Sequence, residues 1–241
     1  MALLKVEGVS KNFGGLMALS EVSFEAQKGD LLGIIGPNGA GKTTLFNIIS
    51  GFYAPSKGEI YFNETRIDGL KSHVICKRGL ARTFQIAQPF LGFTPHETLI
   101  TAALNRLPLK RAKEKAMEVL EMVGLADKAK EDGGSLTILD KKALELAKAM
   151  ATGSEMVLLD EVMAGLTLVE AEHFMSLIKR LSDGGITFLM VEHVMFIIMK
   201  LCSRIMVLNF GQKIAEGTAA EVSKNQMVID SYFGEELKIV T

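Results

Sequence analysis

The 241-residue chain has few cysteines, almost no net charge and no long hydrophobic run, and each shortage excludes a class of protein. Its two cysteines, Cys76 and Cys202, cannot form a disulfide framework. The apolar run at residues 194–199 is among the longest, and it is far too short to cross a bilayer. The formal charge is −1, whereas general polyanion binders are basic, so we expect no nucleic-acid partner.

The start of the chain also lacks the character of a signal peptide, because Lys5 and Glu7 interrupt its first eight residues. Hydrophobic residues make up 48% and charged residues 23%, which is typical of globular proteins and excludes a disordered or fibrous chain. The sequence therefore predicts a cytoplasmic protein that reaches a membrane only through a partner.

The apolar pattern predicts alternating strands and helices. The predicted strands are residues 3–6, 19–24, 31–35, 59–62, 80–84, 156–159, 186–191, 204–208 and 213–215. The predicted helices are residues 43–50, 112–123, 136–152 and 169–181. This alternation favours an α/β fold with parallel strands. No linker or repeat divides the chain, so we predict a single domain, residues 1–241, with an inserted helical subdomain at about 89–152.

One glycine-rich loop carries the clearest chemical signal. Between a predicted buried strand and a predicted helix, the chain matches the phosphate-loop pattern G-x-x-x-x-G-K-[ST] in full. The glycines let backbone N–H groups surround an anion, and the following helix directs its dipole at the same point. Lys42 supplies charge for the phosphates and Thr43 a hydroxyl for Mg²⁺. The predicted nucleotide-binding residues here are Gly36, Pro37, Asn38, Gly39, Ala40, Gly41, Lys42, Thr43 and Thr44.

A pair of acids follows the strand predicted at residues 156–159. Open α/β sheets place ligand chemistry at the carboxyl ends of their strands. Asp160 can hold Mg²⁺ through water, and Glu161 can polarise the water that attacks the γ-phosphate. Taken alone, an acidic strand end is more often plain surface, but the phosphate loop makes the catalytic role the favoured interpretation.

Together these segments resemble the ATP-binding subunit of ABC transporters, and the resemblance covers nearly the whole chain. It implies a P-loop NTPase core with a mostly parallel sheet, an N-terminal antiparallel β part and an inserted helical subdomain. It also implies ATP and Mg²⁺ as ligands and a second ATPase subunit, in a homodimer or a heterodimer. The implied location is the cytoplasmic face of the cell membrane.

The resemblance gives roles to further residues. Gln85 lies where the family's hinge glutamine contacts Mg²⁺ and the attacking water. His193 is similar to the switch histidine that reaches the γ-phosphate. Phe13 lies where the family stacks an aromatic ring on adenine. Residues 164–167, Ala-Gly-Leu-Thr, resemble the loop that crosses the dimer interface.

Three motifs narrow the resemblance to importers of branched-chain or other hydrophobic amino acids. They are residues 81–85, 160–166 and 231–234. This branch implies membrane permease subunits and an extracytoplasmic binding protein. The apolar stretch at residues 84–93 is the expected docking surface for the membrane partner. Ordinary core packing in the helical subdomain is the alternative.

The chain departs from the family at the signature loop Leu-Ser-Gly-Gly-Gln. Residues 136–140 read Leu-Thr-Ile-Leu-Asp, so Thr137 keeps a hydroxyl for nucleotide binding while Ile138 and Leu139 replace two glycines. The main hypothesis is an ATPase subunit that drives an importer. The alternative is an ATP-dependent dimerisation switch with little or no hydrolysis. A soluble ABC-type ATPase of DNA repair or translation would carry coiled-coil arms or a second ATPase domain, and the sequence contains neither.

Overall fold

A computed structural model describes residues 2–83, 90, 92–192 and 194–236. The chain divides into two compact units. The first comprises Met1–Ser72 and Thr187–Thr241, and the second comprises His73–Ile186. Among the described residues, the strand and helix types predicted from sequence are confirmed in both units, and most ends shift by a few residues, whereas β1 and β2 extend further.

The first unit contains an antiparallel sheet, which confirms the predicted N-terminal β part. Its strand order is β2-β1-β4-β5. The strands are β1 (Ala2–Phe13), β2 (Leu16–Gln27), β4 (Lys57–Phe62) and β5 (Thr65–Arg66). β1 and β2 extend well beyond their predicted apolar centres, because main-chain pairing continues into an exposed end where Leu16 and Met17 face solvent.

The same unit contains mostly parallel strands. β3 (Leu31–Ile35) pairs in parallel with β8 (Thr187–Val191) on one side and with β9 (Arg204–Asn209) on the other. β10 (Gln212–Gly217) closes a hairpin with β9, as the sequence predicts. Every residue of β3 and β8 is buried, which explains their unbroken apolar sequences.

Four helices lie in the described residues of the first unit. They are α1 (Lys42–Ile49), α7 (Met195–Leu201), α8 (Ala219–Val222) and α9 (Gln226–Glu236). The side chains of Leu45, Phe46 and Ile49 on α1 are fully buried. α7 lies so close to β3 that a Cβ on Gly33 would stand 2.7 Å from Cγ2 of Ile198. The strand and this helix are therefore packed without room for one further methyl group.

The second unit combines a parallel strand pair with helices. β6 (Leu80–Arg82) pairs in parallel with β7 (Met156–Asp160). The helices are α2 (Ser72–Arg78), α3 (Pro95–Ala103), α4 (Leu109–Val123), α5 (Ile138–Ala151) and α6 (Leu168–Asp183). α3, α4 and α5 pack on one another, and all three fall inside the range predicted for the helical subdomain. That separate subdomain stays a prediction, because the unit also includes β6, β7 and α6.

No helix within the described ranges combines the length and the apolarity that a bilayer crossing requires. The strand predicted at residues 80–84 ends at Arg82, and Phe84 lies outside the described residues.

Gly33→Ala is expected to destabilise the protein, because the added methyl group would overlap Ile198 and stand 3.0 Å from Sγ of Cys202. Such overpacking costs about 1–3 kcal/mol of unfolding free energy, measurable by urea denaturation. Gly15→Ala is the control, since a Cβ there meets nothing within 4 Å. Equal losses in the two variants would show that β3 and α7 do not pack as described. Ile198→Ala, combined with Gly33→Ala, should cost less than the sum of the two single changes.

Candidate functional site

The glycine-rich loop joins β3 to α1, and two of its glycines are required by the backbone. Gly36 and Gly41 have φ angles of 155° and 103°. A Cβ on Gly36 would lie 2.1 Å from the carbonyl oxygen of Leu208, and one on Gly41 would lie 2.7 Å from that of Ala18. No side chain fits at either position, so the loop keeps its tight path only with glycine there.

The first turn of α1 is left open for a ligand. Its N-cap is Gly41, which has no side chain to accept a hydrogen bond from the first N–H groups of the helix. No acidic residue lies in that turn either. The N–H groups at a helix start need a partner, and the helix dipole makes a negatively charged one favourable. A loop and helix start of this kind have the features that favour anion binding.

Lys42 already lies within this loop. Its Nζ donates hydrogen bonds to the carbonyl oxygens of Gly36, at 2.5 Å, and Pro37, at 2.9 Å, and the residue is only 6% exposed. The loop therefore holds a cation against its own backbone, where an entering phosphate would meet it. Thr43 is exposed beside Lys42, as expected for a hydroxyl that binds a metal ion.

The turn between β9 and β10 holds the glycine-rich loop in place through backbone hydrogen bonds. The backbone N–H of Gly211 donates to the carbonyl oxygen of Ala40 at 3.0 Å, and the N–H of Ser20 donates to the carbonyl oxygen of Gly211 at 2.8 Å. The turn thus connects the loop to β2. Phe210 in the same turn is 78% exposed and has a φ of 45°, a conformation rare outside glycine.

Phe13, the predicted adenine-stacking residue, stands exposed at the end of β1. Its ring meets that of Tyr53 edge to face, with centroids 5.3 Å apart. Lys11 places its Nζ 5.0 Å from the centroid of Phe13, and that Nζ also donates to the carbonyl oxygen of Ala54 at 2.7 Å. The ring is therefore held by two neighbours while 43% of the residue stays exposed to solvent, where a base could reach it. Sequence reasoning missed Tyr53 and Lys11.

The predicted acids lie at the carboxyl end of β7. Asp160 is its last residue and is 8% exposed, and Oδ2 accepts a hydrogen bond from Nη2 of Arg82 at 2.6 Å. Glu161 follows with a φ of 50°. A left-handed conformation costs a non-glycine residue about 1–3 kcal/mol and is concentrated at functional sites. Sequence reasoning predicted both acids but not the pairing of Asp160 with Arg82.

The residues present suit Mg²⁺ bound together with a nucleotide. In the described part of the chain, no group of three or more His, Cys, Asp or Glu side chains could hold a metal ion. A magnesium ion bound with ATP takes most of its ligands from phosphate and water and needs only one or two oxygens from the protein. The first unit offers one oxygen of that kind, the Thr43 hydroxyl, and the second unit offers another, the Asp160 carboxylate.

The altered signature loop forms the start of α5. Thr137 is the N-cap, and its Oγ1 accepts from the N–H of Asp140 at 3.1 Å and donates to Oδ2 of Asp140 at 2.7 Å. Lys128 binds the same Oδ2 at 2.6 Å. Burial acts to raise the pKa of the Asp140 carboxyl, but the bonds from Lys128 and Thr137 outweigh it and hold that pKa below its usual value.

This arrangement offers a phosphate fewer hydrogen-bond donors than the glycines of the family's signature loop would. The Thr137 hydroxyl already makes two hydrogen bonds within its own turn, both to Asp140, whose carboxylate is also paired with Lys128. Ile138 is 57% exposed at the same helix start. The nucleotide-binding role of Thr137 stays a prediction.

The remaining predicted residues are distributed as follows. Gln85 and His193 lie outside the described residues, so their roles stay predictions. The Ala-Gly-Leu-Thr segment, residues 164–167, leads into α6, where Thr167 is the N-cap in a capping box with Glu170. Leu168 and Val169 just beyond it are 79% and 65% exposed.

Comparisons with known proteins agree with this geometry. A family model described as "ABC transporter" matches residues 19–164, and one described as "Branched-chain amino acid ATP-binding cassette transporter" matches residues 212–238. The chain is 37% identical to the high-affinity branched-chain amino acid transport ATP-binding protein LivG of Salmonella typhimurium, covering 97% of this chain and 98% of LivG. It is 36% identical to the corresponding BraF of Pseudomonas aeruginosa, again over 97% of this chain and 98% of the relative.

Comparison with a solved structure also indicates an ABC transporter ATP-binding subunit. The ADP conformation of an ATP-binding cassette of an ABC transporter superposes with a TM-score of 0.89 at 32% identity, covering 97% of this chain and 99% of that one. The predicted P-loop NTPase fold and the predicted family resemblance are both confirmed. The chain belongs to the ABC transporter family, as one of its ATP-binding and ATP-hydrolysing subunits.

Proposed function

We propose that this chain binds ATP with Mg²⁺, closes against a second ATPase subunit and powers the import of branched-chain or other hydrophobic amino acids. The permease subunits would span the membrane, the chain would sit on its cytoplasmic face, and a binding protein would deliver the cargo outside. One observation supports ATP binding most directly. The start of α1 has no side-chain cap, and the Lys42 ammonium lies beside it, bound to the carbonyl oxygen of Gly36. The names of relatives at 36–37% identity support the cargo.

The phosphate loop would do most of the binding. Entering phosphates would accept hydrogen bonds from the N–H groups that open α1, and Lys42 would leave the carbonyl oxygens of Gly36 and Pro37 to pair with them. Phe13 would stack on the adenine. Mg²⁺, when bound, would neutralise charge that develops on the phosphates, with Thr43 and Asp160 as its protein ligands.

Glu161 would then orient the attacking water and accept its proton. Its backbone follows directly on the buried strand β7, so the carboxylate starts from a rigid support. Gln85 would contact the water and the metal ion, and His193 would hold the γ-phosphate, as the family resemblance implies. This arrangement favours a subunit that turns over ATP rather than a switch that only dimerises.

Lys42→Ala is expected to weaken ATP binding in the presence of Mg²⁺ by an order of magnitude or more, because the loop loses its only side-chain cation. A fluorescent ATP analogue titrated onto the purified chain measures this affinity. Lys57→Ala, which removes an exposed lysine of β4, is the control and should bind as the wild type does. Equal affinity in all three proteins would mean that this loop is not the nucleotide site.

Glu161→Gln is expected to preserve ATP binding while lowering the hydrolysis rate at least a hundredfold, because an amide fits the site but is a far poorer base. Steady-state phosphate release and nucleotide titration provide the two readouts. Glu118→Gln, at an exposed ion pair on α4, should leave both unchanged. Wild-type turnover by Glu161→Gln would remove Glu161 from the catalytic role.

The proposed docking surface for the permease is the pair Phe90 and Phe93, which are the phenylalanines that the structure describes in the apolar stretch predicted at residues 84–93. They are 45% and 42% exposed, and their rings meet at 5.7 Å. Lys148 places its Nζ 5.5 Å from the ring of Phe90. Two neighbouring exposed phenylalanines favour an interface over ordinary core packing.

Replacing both Phe90 and Phe93 with Ser should abolish transport by the assembled complex while leaving ATP binding and the melting temperature unchanged. The isolated chain should lose little stability, because 45% of Phe90 and 42% of Phe93 is already exposed to solvent. Leu109→Ser, at an equally exposed apolar residue on α4, should transport normally. A melting temperature lowered by many degrees in the double variant would instead support the core-packing alternative.

A further inference from the structure

The most buried ion pair near the acids joins Arg82 to Asp160. The distance from Nη2 to Oδ2 is 2.6 Å, and the two side chains are 9% and 11% exposed. Most other ion pairs that the structure describes involve side chains far more open to solvent, such as Lys179 with Asp183. An exposed pair contributes little, whereas a buried guanidinium and carboxylate depend on one another for their solvation.

The strand register brings these two side chains together. β6 and β7 run in parallel with Arg82 opposite Leu158, so Asp160 lies two residues further toward the same sheet edge. Thr83, which is 1% exposed, fixes this end of β6, because its N–H and its Oγ1 both donate to the carbonyl oxygen of Leu158, at 3.0 and 3.2 Å. Arg82 therefore approaches Asp160 from a rigid position.

The ion pair with Arg82 occupies one oxygen of the Asp160 carboxylate and leaves the other oxygen available for a ligand. The hydrogen bond from Arg82 goes to Oδ2, and within the described part of the chain Oδ1 accepts none. A carboxylate held at one oxygen by a charged donor cannot rotate freely about its Cβ–Cγ bond. Its second oxygen then points in a constant direction, which is what a metal ion or a metal-bound water needs from its ligand.

We propose that Arg82 is a positioning residue that orients Asp160 for the metal ion bound with the nucleotide. This inference rests on the proposed function of Asp160. Arg82 acts through the Asp160 carboxylate and touches neither ATP nor the metal ion. Partners of this kind typically change metal affinity by about 10–100-fold when they are removed.

The test compares Arg82→Met, which keeps the length of the side chain but removes its charge, with Arg82→Lys, which keeps the charge. The probe is Mn²⁺, whose binding to the full-length chain with a non-hydrolysable ATP analogue is measured by electron paramagnetic resonance. Arg82→Met should weaken Mn²⁺ binding about tenfold, and Arg82→Lys should restore part of that loss. Affinity for the analogue without metal should match the wild type in both variants.

Stability is measured separately, because removing one partner of a buried pair also strains the fold. The double variant Arg82→Met with Asp160→Asn contains neither buried charge, so its melting temperature should recover relative to Arg82→Met alone. A merely structural role predicts wild-type Mn²⁺ affinity in folded Arg82→Met protein, and that result overturns the proposal. So does full recovery of Mn²⁺ affinity in the double variant.

Measurements on the wild-type chain distinguish a failure of the role proposed for Arg82 from a failure of the proposed function. If it binds Mn²⁺ with the analogue while Arg82→Met binds it equally well, only the role of Arg82 fails. If it binds neither, the proposed function itself fails, and Lys42→Ala will then show no further loss.

Discussion

The phosphate loop depends on backbone groups held by close contact with neighbouring strands. The carbonyl oxygen of Leu208 lies where any Cβ on Gly36 would be, and the Gly211 turn binds the loop through Ala40. The buried strand β3 and the helix α1 fix the two ends of the loop. Because these supports are in place before any ligand arrives, binding need not order the loop, and N–H groups directed in advance bind an anion most effectively.

The second unit applies the same principle to side chains. A short buried strand presents Asp160 and Glu161, and Arg82 on the adjacent strand holds the first of them. The left-handed backbone at Glu161 has an energetic cost, and the two residues that follow it, Val162 and Met163, are buried. Rigid main chain and a paired carboxylate together restrict where these acids can point.

Local patterns were sufficient to predict most of the fold. The all-buried strand β3, the loop after it and the amphipathic α4 each depend on neighbours within a few positions, so the sequence displays them directly. The Arg82–Asp160 pair joins residues 78 positions apart, and the Phe13–Tyr53 contact joins the end of β1 to the loop after α1, so no local pattern could reveal either. The N-cap of Thr137 could have been predicted, because Thr followed three residues later by Asp is a common capping arrangement.

The central claim is that the backbone of residues 36–44 holds the phosphates of ATP. Amide hydrogen exchange, followed by mass spectrometry with and without ATP and Mg²⁺, tests it directly. Exchange of the amides from Gly39 to Thr44 should slow markedly on nucleotide addition, while amides of the exposed β4–β5 turn at Asn63 and Glu64 should not change. Unchanged exchange in the loop at saturating nucleotide would contradict the account.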